Sequence, residues 1–290
     1  MKSFYSFLFS YLFVIYQLFS QNTGKVIENQ VIISKIMGKT MKHSIYLPHG
    51  YDISSRYYPV VYLLHGYSDD ETAWVQFGSA HYAADQLINK GEINPMIIIM
   101  PDGALTWYIN SHDSKVNYMD YLTKELIPYI DKTYRTKASK EYRAIAGLSM
   151  GGYGAIINIL KNPHIFSTCV AFSAAVWTDD DITSKNIDYE VPWFAKNTPP
   201  NERLNKHWKA HSIFEIINST PADSLIKLRL YIDCGDKDFL TTGNAKLHIA
   251  LREKNINHEY RVRHGWHNWN YWQSGIYDGL KYIAQGFDRR

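Results

Sequence analysis

Five short runs of the chain are almost continuously apolar: Val60 to His65, Met96 to Met100, Arg143 to Leu148, Thr168 to Ser173 and Lys227 to Asp233. A strand that reads this way is covered on both faces, which points to a parallel sheet with helices packed above and below it. The stretches between the runs fit that arrangement. Ala80 to Lys90, Asn117 to Thr133, Gly154 to Lys161, Gly243 to Lys254 and Gly275 to Gln285 place apolar residues three or four positions apart, as an amphipathic helix does. Val31 to Ile36, His43 to Tyr46 and Glu259 to Val262 complete the strands, the first two close enough together to form an antiparallel edge. The alternation predicts an α/β fold with an open, mostly parallel central sheet flanked by helices. Functional groups in such a sheet lie beyond the carboxyl ends of the strands.

The first 20 residues read as a separate unit. Lys2 precedes an apolar run from Phe4 to Phe19, and the small residue Ser20 follows, which is the layout of a secretory signal peptide cleaved near Ser20 or Gln21. A retained membrane anchor is the rival, because the run approaches the length of a span. Residues 21–290 then form one domain, large enough to bury a core without disulfide or metal staples. A formal charge of +3, with the basic residues scattered, lacks the cationic stripe that phosphate backbones require, so nucleic acid is not an expected partner. Export permits disulfides, yet Cys169 near the start of one strand and Cys234 at the end of the next are offset by about four residues, roughly 13 Å. That exceeds the reach of a disulfide, so two buried free thiols are expected.

Chemistry concentrates at Gly147-Leu148-Ser149-Met150-Gly151, a G-x-S-x-G turn between a buried strand and the start of a helix. Such a turn projects the serine hydroxyl beside a helix N-terminus with its free N–H groups. Serine is a weak nucleophile and needs an adjacent base, itself oriented by an acid. In this architecture the partners follow on later strand-end loops in the order Ser, acid, His. Two carboxylates occupy the first such loop, Asp236 and Asp238, and two histidines the second, His264 and His267; the residues alone do not choose between them. Acyl transfer also needs pre-aimed donors for an oxyanion. The N–H of Met150 is one, and the loop His65-Gly66-Tyr67 after a core strand offers the other.

With these pieces the chain resembles the esterase D-like family of α/β-hydrolases, which includes feruloyl and acetyl xylan esterases, S-formylglutathione hydrolases and mycolyltransferases. The resemblance runs from about Met41 to Gly279. It rests on Tyr62-Leu63-Leu64-His65-Gly66 with the later Trp74, on Glu125-Leu126-Ile127-Pro128 and on Gly147 to Gly152. It implies Ser149, Asp238 and His267 as the catalytic triad and Tyr67 and Met150 as oxyanion donors, with no metal or cofactor. One departure is Trp266, where the family commonly has glycine before the histidine. The implied activity is that of a secreted serine carboxylesterase removing acetyl or feruloyl groups from polysaccharide. Another small ester, a thioester or siderophore, acyl transfer, a serine peptidase of the prolyl oligopeptidase type and an inactive binding protein are the alternatives.

Aromatic residues make up 15% of the chain. Trp107, Trp193, Trp208 and Trp266 are candidate walls of a sugar or aryl cleft, since flat rings pack on both. The long stretch from Val176 to about Ser224, directly after a core strand, is expected to be a lid-like insertion over the nucleophile.

Overall fold

The computed structural model describes residues 22–184, 187 and 191–288, so the expected signal segment lies outside the described residues. Eight strands form one sheet: β1 (Lys25–Ser34), β2 (Lys39–Leu47), β3 (Val60–Leu64), β4 (Ile97–Pro101), β5 (Arg143–Leu148), β6 (Thr168–Phe172), β7 (Arg229–Gly235) and β8 (His258–Arg263). Their spatial order is β1-β2-β4-β3-β5-β6-β7-β8. β1 with β2, and β2 with β4, are antiparallel, and every other pairing is parallel. The five apolar runs are thus inner strands, and the runs at Val31 and His43 fall on β1 and β2, the antiparallel edge.

Period-two alternation divides each inner strand between two cores. Tyr62 and Leu64 of β3 join the core shared with Ile130, Ile156 and Leu247. Those three residues come from α2 (Ile127–Thr133), α3 (Met150–Lys161) and α4 (Thr241–Glu253). Val61 and Leu63 point to the opposite core with Leu87 and Ile276, which belong to α1 (Ala80–Asn89) and α5 (Trp269–Asp288). No helix among the described residues is long and apolar enough to cross a membrane. Cys169 pairs in register with Leu230, four residues short of Cys234, and both thiols are free and buried, as expected.

α3 begins at Met150, earlier than the sequence pattern suggests. Gly151 and Gly154 disguise its first turn, since glycine costs about 1 kcal/mol in a helix interior. Both are required by close approach. A Cβ on Gly151 would stand 2.5 Å from the carbonyl oxygens of both Leu64 and His65, and one on Gly154 would stand 2.5 Å from the Tyr108 ring. Propensity alone makes Gly151→Ala stabilising by about 1 kcal/mol. The clash is with strand backbone, which cannot move aside as a flexible side chain can, and overpacking of this kind costs about 1–3 kcal/mol or more. The net expectation is a lower urea midpoint for Gly151→Ala; an unchanged or higher midpoint would refute the tight β3–α3 packing.

In the insertion after β6, the large apolar side chains Trp193, Phe194 and Trp208 turn inward. It contains short helices at Asp179–Ser184, Lys206–His211 and Ile213–Ser219. Its Trp193 and Trp208 are each only 1% exposed.

Candidate active site

Ser149 sits between β5 and α3 with φ +52° and ψ −115°, a conformation costly for a residue with a Cβ. Neighbouring backbone holds it there. Its N–H donates to Phe172 O (2.9 Å), and its carbonyl accepts from the N–H groups of Tyr153 and Ala175 (both 3.0 Å). Gly147 and Gly151 meet beneath the turn, where a Cβ on Gly147 would stand 2.4 Å from Gly151 O.

Of the two candidate Asp–His pairs, one reaches the serine. His267 Nε2 lies 3.0 Å from Ser149 Oγ, and its Nδ1 lies 2.8 and 3.0 Å from the Asp238 carboxylate oxygens. Burial alone would raise the Asp238 pKa. Hydrogen bonds from His267, the Leu240 N–H and Ser173 outweigh it and hold the carboxyl below the usual carboxylate range. An ionised carboxylate only accepts, so Nδ1 carries the proton and the Nε2 lone pair faces the serine hydroxyl. The other pair, His264 Nδ1 with Asp236 Oδ2 at 3.2 Å, lies in solvent. Asp236 there also accepts from Gly265 N–H (3.0 Å), a bond that joins the two loops.

The loops bearing acid and base are tied together at their roots. Asp233, fully buried in β7, accepts from Arg263 Nε of β8 (2.9 Å) and from the Tyr271 hydroxyl of α5. Arg263 also donates to Ser274 Oγ (2.8 Å). The strand ends that carry Asp238 and His267 therefore cannot shift independently without exposing a buried charge.

The oxyanion candidates flank the serine. Met150 opens α3, whose first N–H groups have no intrahelical acceptor. Tyr67 follows Gly66, and its neighbour His65 is pinned: Nε2 accepts from Gly103 N–H (2.8 Å), so the ring proton is on Nδ1, which donates to Gly66 O (2.8 Å). In a trans peptide the N–H opposes the carbonyl, so the Tyr67 N–H is turned away from His65.

Ser149, His267, Gly66, Tyr67 and Met150 line a cavity of about 770 Å³, a size typical of ligand sites. Its walls are largely aromatic, with Tyr67, Trp107, Trp177, Phe239, Trp269 and Trp272 contributing. Trp107 and Tyr108 both have positive φ, +55° and +58°. This strained pair is fixed by Asn158 Nδ2 donating to Tyr108 O (3.0 Å) and by the Tyr108 hydroxyl donating to His65 O (3.0 Å). Of the four tryptophans singled out in the sequence, only Trp107 lines the cavity. Trp193 and Trp208 are corrected to core residues. Trp193 packs against Trp107 with the rings tilted and their centroids 4.7 Å apart, and donates Nε1–H to the Tyr153 hydroxyl, while Trp208 donates to Asp179 (2.7 Å). Trp266 is 55% exposed and packs on His264, outside the cavity wall. Trp177, Trp269 and Trp272 were missed. Trp177 follows the end of β6 and Trp269 the end of β8 by a few residues, and that position, not residue type, was the available signal; Trp272 lies one turn further on, inside α5.

The Esterase family model matches residues 34–283, most of the chain. The chain belongs to this esterase family. The esterase is 36% identical over 156 residues to an endo-1,4-beta-xylanase/feruloyl esterase of Xylanibacter ruminicola, an alignment covering 51% of this chain but 22% of that protein. It is 24% identical over 243 residues to an acetyl esterase of Caldicellulosiruptor saccharolyticus, covering 82% and 85% of the two chains. A solved structure of a ferulic acid esterase superposes with a TM-score of 0.78 at 28% identity, covering 91% of this chain and 99% of its own. The architecture is the α/β-hydrolase fold.

Proposed function

We propose that the esterase is an exported serine carboxylic ester hydrolase that removes feruloyl or acetyl groups from polysaccharide through Ser149, His267 and Asp238. The observation that carries the reading is the continuous Asp238–His267–Ser149 hydrogen-bond chain at the floor of an aromatic cavity. His267 Nε2 takes the Ser149 proton as Oγ bonds to the ester carbonyl carbon, and Asp238 stabilises the imidazolium. The N–H groups of Tyr67 and Met150 hold the oxyanion. On collapse the C–O bond to the alcohol breaks and His267 protonates the leaving oxygen. Water, deprotonated by His267, then attacks the acyl carbon, and His267 returns that proton to Ser149 Oγ as the C–Oγ bond breaks and the acid leaves.

A cavity of about 770 Å³ walled by rings exceeds what an acetyl group needs and suits an aryl acyl group such as feruloyl. Similarity to an acetyl esterase over most of both chains keeps acetyl as the second reading. The test is release of ferulic and acetic acid from feruloylated and acetylated xylan oligosaccharides. Ferulic acid release is expected to dominate. Cleavage of p-nitrophenyl acetate with neither acid released would remove the polysaccharide reading. N-terminal sequencing of exported protein checks the signal segment, with Gln21 the expected first residue.

A further inference from the structure

The loop after β3 carries three consecutive acids, and their surroundings differ. Asp70 turns back on its own loop, where Oδ1 accepts from Thr72 N–H and Oγ1–H. Glu71 is buried with Lys42 Nζ 3.8 Å away. Asp69 instead lines the cavity. The point at which a Cβ on Gly66 would stand is 3.1 Å from Asp69 Oδ2 and 3.8 Å from Ser149 Cβ, so carboxylate and nucleophile flank the same glycine. Among the described residues, Asp69 is the one acidic side chain lining this cavity, and no Lys or Arg lines it. His65, on the same loop, has its Nε2 occupied by Gly103 N–H. Burial pushes the Asp69 carboxyl up, partly offset by His65 and the Gly66 N–H.

We propose that Asp69 is a specificity-determining residue that restricts this cavity to uncharged esters and repels substrates and products bearing a carboxylate near the reacting group. This rests on the ester-hydrolase reading above. A second anion entering a partly dry cavity meets a like charge that no Lys or Arg of the lining offsets, and aromatic faces, negative at the ring centre, give it no relief. Neutral, hydroxyl-bearing esters meet no such barrier, and a hydroxyl can donate to the Asp69 oxygens. Glutathione thioesters and dicarboxylic half-esters fall in the rejected class. The same repulsion favours departure of the product acid, which ionises as it forms.

The test compares two matched acetates, methyl 4-acetoxybenzoate and the 4-acetoxybenzoate anion, on the full chain and on Asp69→Asn and Asp69→Glu. Wild type is expected to prefer the methyl ester in kcat/KM by about tenfold or more. Asp69→Asn should shrink that ratio about tenfold, chiefly through KM for the anion, and should strengthen inhibition by 4-hydroxybenzoate by a similar factor. Asp69→Glu, which keeps the charge, should keep the ratio. A fall in both esters with an unchanged ratio in Asp69→Asn would mean that Asp69 only shapes the turn at Gly66, and would overturn the proposal. So would wild-type turnover of the anion equal to that of the methyl ester. Failure of wild type on both acetates would sink the ester-hydrolase reading and this inference with it.

Discussion

Ser149→Ala is expected to lower kcat on p-nitrophenyl acetate by about 10⁴-fold or more, while the thermal midpoint moves by a few degrees at most. The loss is large because the serine and its base act as one unit: without Oγ, His267 has no nucleophile to activate. Residual turnover over the uncatalysed rate should survive, since the proposed oxyanion donors, the N–H groups of Tyr67 and Met150, are left in place. Stability should hold because the strained turn is fixed by backbone, through Phe172, Tyr153 and Ala175, and not by the hydroxyl. Alanine accepts that backbone about as well as serine. Circular dichroism melts beside steady-state rates separate the two effects. Wild-type turnover in the variant would remove Ser149 from the chemistry.

Sequence reading succeeded where one physical cause dominates a residue's neighbourhood. β5 is covered on both faces, so its apolar run from Arg143 to Leu148 coincides with the strand. The sharp turn at Ser149 was legible because a strand, a turn of small residues and a helix must coincide there. The first turn of α3 was hidden because close backbone approach at Gly151 overrides helix propensity. The tryptophans were hidden for a different reason. A ring packs equally well behind a cavity wall and on it, so Trp193 and Trp107 look alike in the chain although one lies in the core and the other lines the site. Asp69 carried no motif at all. Its proposed role depends on which of three adjacent acids lines the cavity, while Thr72 holds Asp70 and Lys42 lies beside the buried Glu71.

The choice between the two Asp–His pairs yields the second large effect. Asp238→Asn is expected to reduce kcat by about 10⁴-fold, whereas Asp236→Asn should stay within about threefold of wild type. Asparagine fits the Asp238 site in volume, but its amide can present an N–H₂ to His267 Nδ1. That contact favours the tautomer with the proton on Nε2, which then cannot accept the Ser149 proton. The imidazolium formed during attack also loses its buried counter-charge. At Asp236 the partner is His264, 69% exposed and remote from the nucleophile. Water replaces whatever that carboxylate supplies, and Lys237 N–H donating to Gly265 O (3.0 Å) still links the two loops. Steady-state rates for both variants, with His264→Ala and His267→Ala beside them, decide the matter. Loss confined to Asp238 and His267 fits the buried pair as the working one. Equal losses at Asp236 and His264 would mean that the exposed pair, through its tie between the loops, sets the geometry on which the buried pair depends.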